Sequence, residues 1–386
     1  MRAALMLALS STALIACSGG TSEAPAPAPS DQAAAPSPTP TDGGLPFATT
    51  AVATLDSPWA MAFLPDGRML VTQKGGQMVV VNPADGATTP LAGVPAIDSA
   101  GQGGLMDVVP APDFAQSRRV YFSGSVAGDG GKGVVLWRAR LADGETPRLE
   151  GVTELFRATP FVSGDGHYSG RIAFAPDGQH LFFTNGERQK FDPAQDPKAT
   201  LGKVLRLTLD GKPAGDPGLS ARGFHPAVWS YGHRNLLGIA FDSAGNLWEQ
   251  EMGPKGGDEV NLILPGRNYG YPIVSDGDHY DGRPIPDHDT RPEFEKYKVM
   301  WNPVISPGGL IAYSGNQFPQ WQGDLFIGGL SSQSLVRVDV NGTGATKGDQ
   351  WPMGKRIRDV EQGPDGAIWV IEDGDGGRVL KLTPRG

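Results

Sequence analysis

Short apolar runs alternate with turn residues along most of the chain, and six times they take one form. An aliphatic run leads into a turn of Pro, Asp or Gly, and a second apolar run follows. The six are residues 59–71 (WAMAFLPDGRMLV), 105–122 (LMDVVPAPDFAQSRRVYF), 171–184 (RIAFAPDGQHLFFT), 237–248 (LGIAFDSAGNLW), 310–327 (LIAYSGNQFPQWQGDLFI) and 358–371 (RDVEQGPDGAIWVI). Each predicts a β-hairpin, because Asp and Gly tolerate the backbone angles of a tight turn. Helical periodicity is nearly missing. Repeated hairpins without helices predict an all-β fold, a six-bladed β-propeller with four-stranded antiparallel blades. A ring buries both faces of each sheet and leaves only short edges. A pair of β-sandwiches is the rival fold, but it does not explain the repeat.

Composition sharpens this picture in three places. Glycine is 55 of 386 residues, about twice the usual ~7 %, which suits many tight turns. The net charge of −9 argues against a nucleic-acid partner. The single cysteine, Cys17, excludes an intrachain disulfide or a cysteine-based metal site. Arg2 and the apolar residues 3–15 form a segment too short to span a bilayer. It ends in Leu14-Ile15-Ala16-Cys17, which resembles the lipobox of bacterial lipoproteins. The expectation is a signal peptide over 1–16, then a lipidated Cys17 with a Pro/Ala-rich tether over 17–46, and a propeller over 47–386. The resemblance implies a protein on the periplasmic side, anchored by lipid to the outer membrane through Cys17.

The candidate chemistry gathers just before the first strand of each hairpin, on loops that a rigid sheet presents. Gln102 lies in Gly101-Gln102-Gly103-Gly104, where glycine lets a ligand approach the backbone. His167 stands between glycines, with Asp165 nearby as a group to orient it; a neutral imidazole there can accept a proton. A hydrogen-bonded structural histidine fits the same pattern. Arg234 and Asn235 offer donors for a planar anion. Arg356 and Arg358 project to one face of an extended segment, and two adjacent guanidiniums ask for a bridging anion. In a ring these strand ends converge on one axial pocket. Gly253-Pro254 offers carbonyl oxygens that suit calcium. Residues 271–302 lack the repeat and carry His279 and His288 among several Asp; a solvated loop is expected there rather than a metal site.

With those residues in place, the chain resembles the soluble pyrroloquinoline-quinone (PQQ) glucose/sorbosone dehydrogenases, especially the bacterial soluble aldose sugar dehydrogenases. The matching segments are PWAMAFLPDGRMLVT, GQGGLMDV, HYSGRIAF, LGKVLRL, YGHRNLLGIAFD, MGPKGGDEVN, GRNYGYP and RIRDVEQGPDG. The resemblance implies PQQ and calcium on the axis of a six-bladed propeller. His167 would take the proton of the sugar C1 hydroxyl while hydride passes to the quinone, and Arg234 would stabilise the developing charge. Gln102, His167, Arg234, Asn235, Gly253, Pro254, Arg356 and Arg358 fall on cofactor-contacting positions. Gly253 and Pro254 match the ligands of the PQQ-bound calcium, and Glu259 and Tyr269 match a second calcium site. The implied partners are an aldose sugar and an external electron acceptor, and the implied product is a lactone. Two positions depart: Met252 stands where glucose-dehydrogenase members carry Gln, and Ser331 lies where the family has a cofactor-contacting Lys. Two rival functions are a calcium-dependent six-bladed lactonase and a non-catalytic sugar-binding propeller. The lactonase needs carboxylates facing the channel, and the mouth loops display few beyond Asp165.

Overall fold

Each expected hairpin forms the inner two strands of one four-stranded antiparallel sheet, and there are six such sheets. The innermost strands are Pro58–Phe63, Leu105–Pro110, Ser169–Phe174, Leu236–Phe241, Pro307–Ala312 and Ile357–Gln362. The computed structural model describes residues 44–144 and 146–385. Cys17, the expected signal peptide and the tether up to residue 43 lie outside the described residues. No helix among the described residues is long and apolar enough to cross a membrane.

Burial follows position in the blade. Second strands such as Met69–Gln73 and Ile368–Glu372 are buried along their whole length, because a neighbouring blade covers each face. That is why they read as continuous apolar runs. The outer strand Gly344–Pro352 is mostly exposed and carries Lys, Asp and Gln. The last blade is completed from the other end of the chain. Strand Phe47–Asp56 pairs antiparallel with Asp375–Pro384, with Phe47 opposite Pro384. Phe47 is fully buried and meets Trp351 edge-on at 5.6 Å.

One ion cluster joins all six inner strands and so marks the axis. Arg171 Nη1 lies 2.9 Å from Asp359 Oδ1 and 3.3 Å from Asp107 Oδ1. Its Nε donates to the Leu237 carbonyl at 2.8 Å, and its guanidinium stacks 4.2 Å from the Trp59 ring. Asp359 accepts the Met61 N–H at 2.9 Å, and Asp107 accepts the Ile172 N–H at 2.8 Å. The fifth inner strand contributes Gly309, where any Cβ would collide with Asp359 Oδ1. Burial pushes the Asp359 carboxyl up to about 6 although the Arg171 charge opposes it.

Candidate active site

In an antiparallel hairpin the start of the first strand lies beside the end of the second. Ser169 faces Asn185, Leu236 faces Glu251, and Ile357 faces Glu372. Residues that follow second strands therefore share the mouth with those that precede first strands.

His167 is buried at this mouth, and its backbone N–H donates to Gln102 Oε1 at 2.7 Å. Its Nδ1 lies 2.5 Å from Oε1 of Glu187, which is fully buried and comes just after the second strand. The other Glu187 oxygen accepts the N–H groups of Lys190 (2.5 Å) and Phe191 (2.7 Å). Burial, then the Arg234 charge, lower the His167 imidazole to about 4. Burial would raise the Glu187 carboxyl, but the His167 contact and Arg234 hold it below its ordinary value. The pair is a neutral imidazole donating Nδ1–H to an ionised carboxylate, with Nε2 left as a base. The expectation that Asp165 orients the ring is corrected here. Asp165 turns outward to Lys132, with Nζ 2.7 Å from its Oδ1. Glu187→Gln should cut turnover by about a hundredfold or more, through loss of the correct tautomer. Asp165→Asn should leave turnover near wild type; steady-state kinetics on both variants checks the assignment.

Side-chain clamps hold this region in an unfavourable backbone. His167, Ser169, Arg188, Gln189 and Phe191 all have φ between 48° and 64°, a conformation costing about 1 kcal/mol or more for each non-glycine residue. Buried Arg188 donates to the carbonyls of Gly164 (2.5 Å) and Lys132 (3.1 Å). Buried Lys203 donates Nζ to the carbonyls of Pro193, Ala194 and Leu201 at 2.7–2.9 Å.

Arg234 is buried beside the dyad. Its backbone N–H donates to Glu251 Oε2 at 2.5 Å, and Nη1 donates to the carbonyls of Met252 (2.9 Å) and Gly253 (2.6 Å). Its Nε is buried without a partner among the described residues. Asn235 directs Nδ2 at Met252 Sδ, 3.7 Å away and a weak acceptor. Under-used buried donors beside a base suit an acceptor-rich anion such as PQQ. The expected calcium ligand Gly253 fits less well. Its carbonyl is committed to Arg234, so a cation there would face a guanidinium. Asp258 fixes this turn by accepting the N–H groups of Gly253 (2.9 Å), Ile305 (2.8 Å) and Ser306 (2.7 Å).

Arg356 and Arg358 do share a face, but the bridging anion is internal. Asp373 Oδ2 and Oδ1 accept their Nε groups, each at 2.8 Å. Burial opposes ionisation of Asp373, yet the two guanidiniums win and hold its carboxyl at about 2. Like Glu187, Asp373 comes just after a second strand. At the departing position Ser331, Oγ donates to the Val304 carbonyl at 3.4 Å.

Beside Glu259, the fourth blade carries two buried acids that sequence reasoning missed, Glu249 and Glu251. Glu251 lies opposite Glu259 and Glu249 opposite Asn261 on adjacent strands. Asn261 Nδ2 approaches all three carboxylates, at 3.2 to 3.5 Å. Burial, then Glu251, push Glu249 and Glu259 well above the usual carboxylate range. The loop expected to be solvated is also corrected at His288, which is buried. Residues 271–302 fold back onto this blade, with the Glu295 N–H on the Asn268 carbonyl and the Lys298 N–H on the Val260 carbonyl. His279 is not buried and meets Phe191 edge-on at 5.6 Å. A small cavity is lined by Arg234, Glu251, Gly253, Glu259, Tyr269 and His288.

Fold and mouth together define a class: a six-bladed propeller with a carboxylate-oriented imidazole and a buried arginine at one end of its axis. The chain belongs to the glucose/sorbosone dehydrogenase family, whose model matches residues 55–381. It is 40 % identical over 341 residues to the aldose sugar dehydrogenase YliI of Escherichia coli (strain K12), covering 86 % of this chain and 91 % of that one. The crystal structure of the soluble aldose sugar dehydrogenase from Escherichia coli in the apo-form superposes with a TM-score of 0.82 at 38 % identity. That match covers 88 % of this chain and all of the other. The PQQ-bound aldose sugar dehydrogenase of Streptomyces coelicolor gives a TM-score of 0.72 at 29 % identity, over 88 % of this chain and 98 % of that one.

Proposed function

We propose that the protein is a quinoprotein oxidoreductase that oxidises the anomeric C1 of an aldose to a lactone and passes the electrons to an external acceptor. The observation that carries this reading is the buried His167–Glu187 pair beside Arg234. His167 Nε2 takes the proton of the C1 hydroxyl, and the hydride leaves C1 at the same time. Glu187 stabilises the imidazolium that results and keeps Nε2 turned toward the substrate. PQQ, when bound, supplies the two-electron acceptor for that hydride. Arg234 lies where a fixed cation can stabilise charge developing on the acceptor oxygen. Gln102 positions the base through the His167 N–H, while Asn235, Arg356 and Arg358 supply donors for the cofactor. The Gly253 and Pro254 carbonyls would hold calcium, and the Gly253 oxygen would then be shared with Arg234 Nη1.

Adding PQQ to the protein should give a saturable change in the quinone absorption spectrum, followed by dye reduction on addition of aldoses. Absence of both would leave a non-catalytic propeller. For location, we read Cys17 as the lipid attachment site, with the chain on the periplasmic side of the outer membrane. Cys17→Ala should move the protein from the membrane fraction to the soluble one; unchanged membrane association would remove the anchor.

A further inference from the structure

Lys203 has no part in the chemistry above. It opens strand Lys203–Thr208 and is fully buried. Its Nζ donates to the carbonyls of Pro193 (2.7 Å), Ala194 (2.9 Å) and Leu201 (2.8 Å), which uses all three N–H groups of the ammonium. All three partners are neutral backbone oxygens. A buried cation held by neutral oxygens alone gains no stability over an apolar side chain of the same size, so its placement asks for another reason.

The carbonyls that Lys203 holds belong to a junction. Residues 186–202 form a long loop between strands His180–Asn185 and Lys203–Thr208. The loop opens with Glu187, whose carboxylate orients His167. The Ala194 carbonyl accepts the Gly232 N–H at 3.0 Å as well as Lys203 Nζ. The His233 N–H donates to the Gly202 carbonyl at 3.2 Å, and the Glu187 N–H donates to the Arg234 carbonyl at 2.9 Å. A Cβ at Gly202 would lie 2.6 Å from the His233 oxygen and 2.7 Å from Ala194 Cα, so the loop and residues 232–234 pack backbone to backbone. The segment that carries Arg234 is thus seated on the loop that carries Glu187, and Lys203 closes that loop.

We infer, on the roles given above to His167 and Arg234, that Lys203 is a positioning residue for the oxidation: its ammonium fixes the distance between the His167–Glu187 pair and Arg234. It touches neither, and acts through the Ala194 carbonyl and the loop. The loop needs such a clamp, because Arg188, Gln189 and Phe191 hold it in left-handed backbone. A displacement of about 1 Å between a base and the cation that works with it costs about a hundredfold in rate. Gln102, Asn235, Arg356 and Arg358 lie outside the loop, so cofactor binding does not share this dependence.

Two substitutions in the full chain test this. Met fills the space of Lys203 without donors, whereas Gln keeps two N–H groups. Lys203→Met should lower kcat about a hundredfold and leave the PQQ titration near wild type, with Lys203→Gln intermediate in kcat. The melting temperatures should not follow that order, since an apolar side chain suits a buried position better than an amide. Hydrogen exchange reads the junction without turnover: Lys203→Met should speed exchange in residues 193–202 and also in 232–234, which Lys203 does not touch, while the inner strands keep their protection. A wild-type kcat in folded Lys203→Met overturns the inference, as does a kcat that tracks the melting temperature or falls together with PQQ affinity. Exchange confined to 193–202 overturns it too, and failure of both variants to fold makes Lys203 a residue of the fold alone. A wild-type protein with no sugar-dependent turnover counts against the reading of the reaction, and the exchange result still decides whether Lys203 holds the junction.

Discussion

Replacing His167 by Gln should lower sugar-dependent dye reduction by about 10²–10⁴-fold while PQQ still binds. The expected split between chemistry and binding follows from the geometry. Nε2 is the only part of His167 left for substrate, since Nδ1 is engaged by Glu187 and the backbone N–H by Gln102. The glutamine variant keeps the backbone bond to Gln102 but has no basic nitrogen. Retained turnover would take the base role from His167. The pH profile gives a second reading. His167 is lowered from 6.5 to about 4, so the neutral base persists in the folded protein well below pH 6.5. The acid limb of kcat/KM should fall near pH 4 rather than near 6.5. Over the same window stability should decline on acidification. The unfolded chain takes up a proton at its ordinary imidazole pKa that the folded chain refuses until about 4. A limb near 6.5 would mean that the dyad does not hold the imidazole neutral.

The second large effect belongs to the axis. Arg171→Met should destabilise the protein by about 3–5 kcal/mol, because it leaves Asp107 and Asp359 buried without their cation. Urea unfolding at pH 8 reads the loss as a lower midpoint. The loss should shrink at pH 5, where the two carboxyls can take protons in place of the guanidinium. Adding Asp107→Asn and Asp359→Asn should recover part of the lost stability. An Arg171→Met midpoint equal to wild type would mean that the ion cluster is not what joins the inner strands.

How far the sequence reveals this molecule depends on which part of a blade is read. Inner hairpins are legible because both strands are covered on both faces, so residues 171–184 are apolar on either side of Pro-Asp-Gly. Outer strands are not, since Gly344–Pro352 has no fully buried position to impose a period. Phe47–Asp56 gives no sign that its partner is Asp375–Pro384, because nothing local encodes a contact between chain ends. His167, Arg234 and Gln102 stand out because each precedes an inner strand. Glu187 and Asp373 escape notice because each follows a second strand, although antiparallel pairing brings those ends to the same mouth. The signal is present as an acidic residue ending an apolar run, in residues 180–187 and 368–373. His288 misleads for a different reason. Its neighbours Asp287, Asp289 and Arg291 are charged, and only the return of the loop onto the fourth blade buries it.

The pairing of Phe47–Asp56 with Asp375–Pro384 also fixes an order of events during synthesis. The first strand of the folded domain to leave the ribosome has no partner until residues 375–384 have been added. Through that interval Phe47, Ala53 and Leu55, all buried in the finished ring, stay uncovered, and five blades can form while the sixth lacks an edge. A chain cut short near its C-terminus therefore loses more than its own final strand. It strands the N-terminal one as well, leaving an open ring with two unpaired edges of the kind that invite another chain.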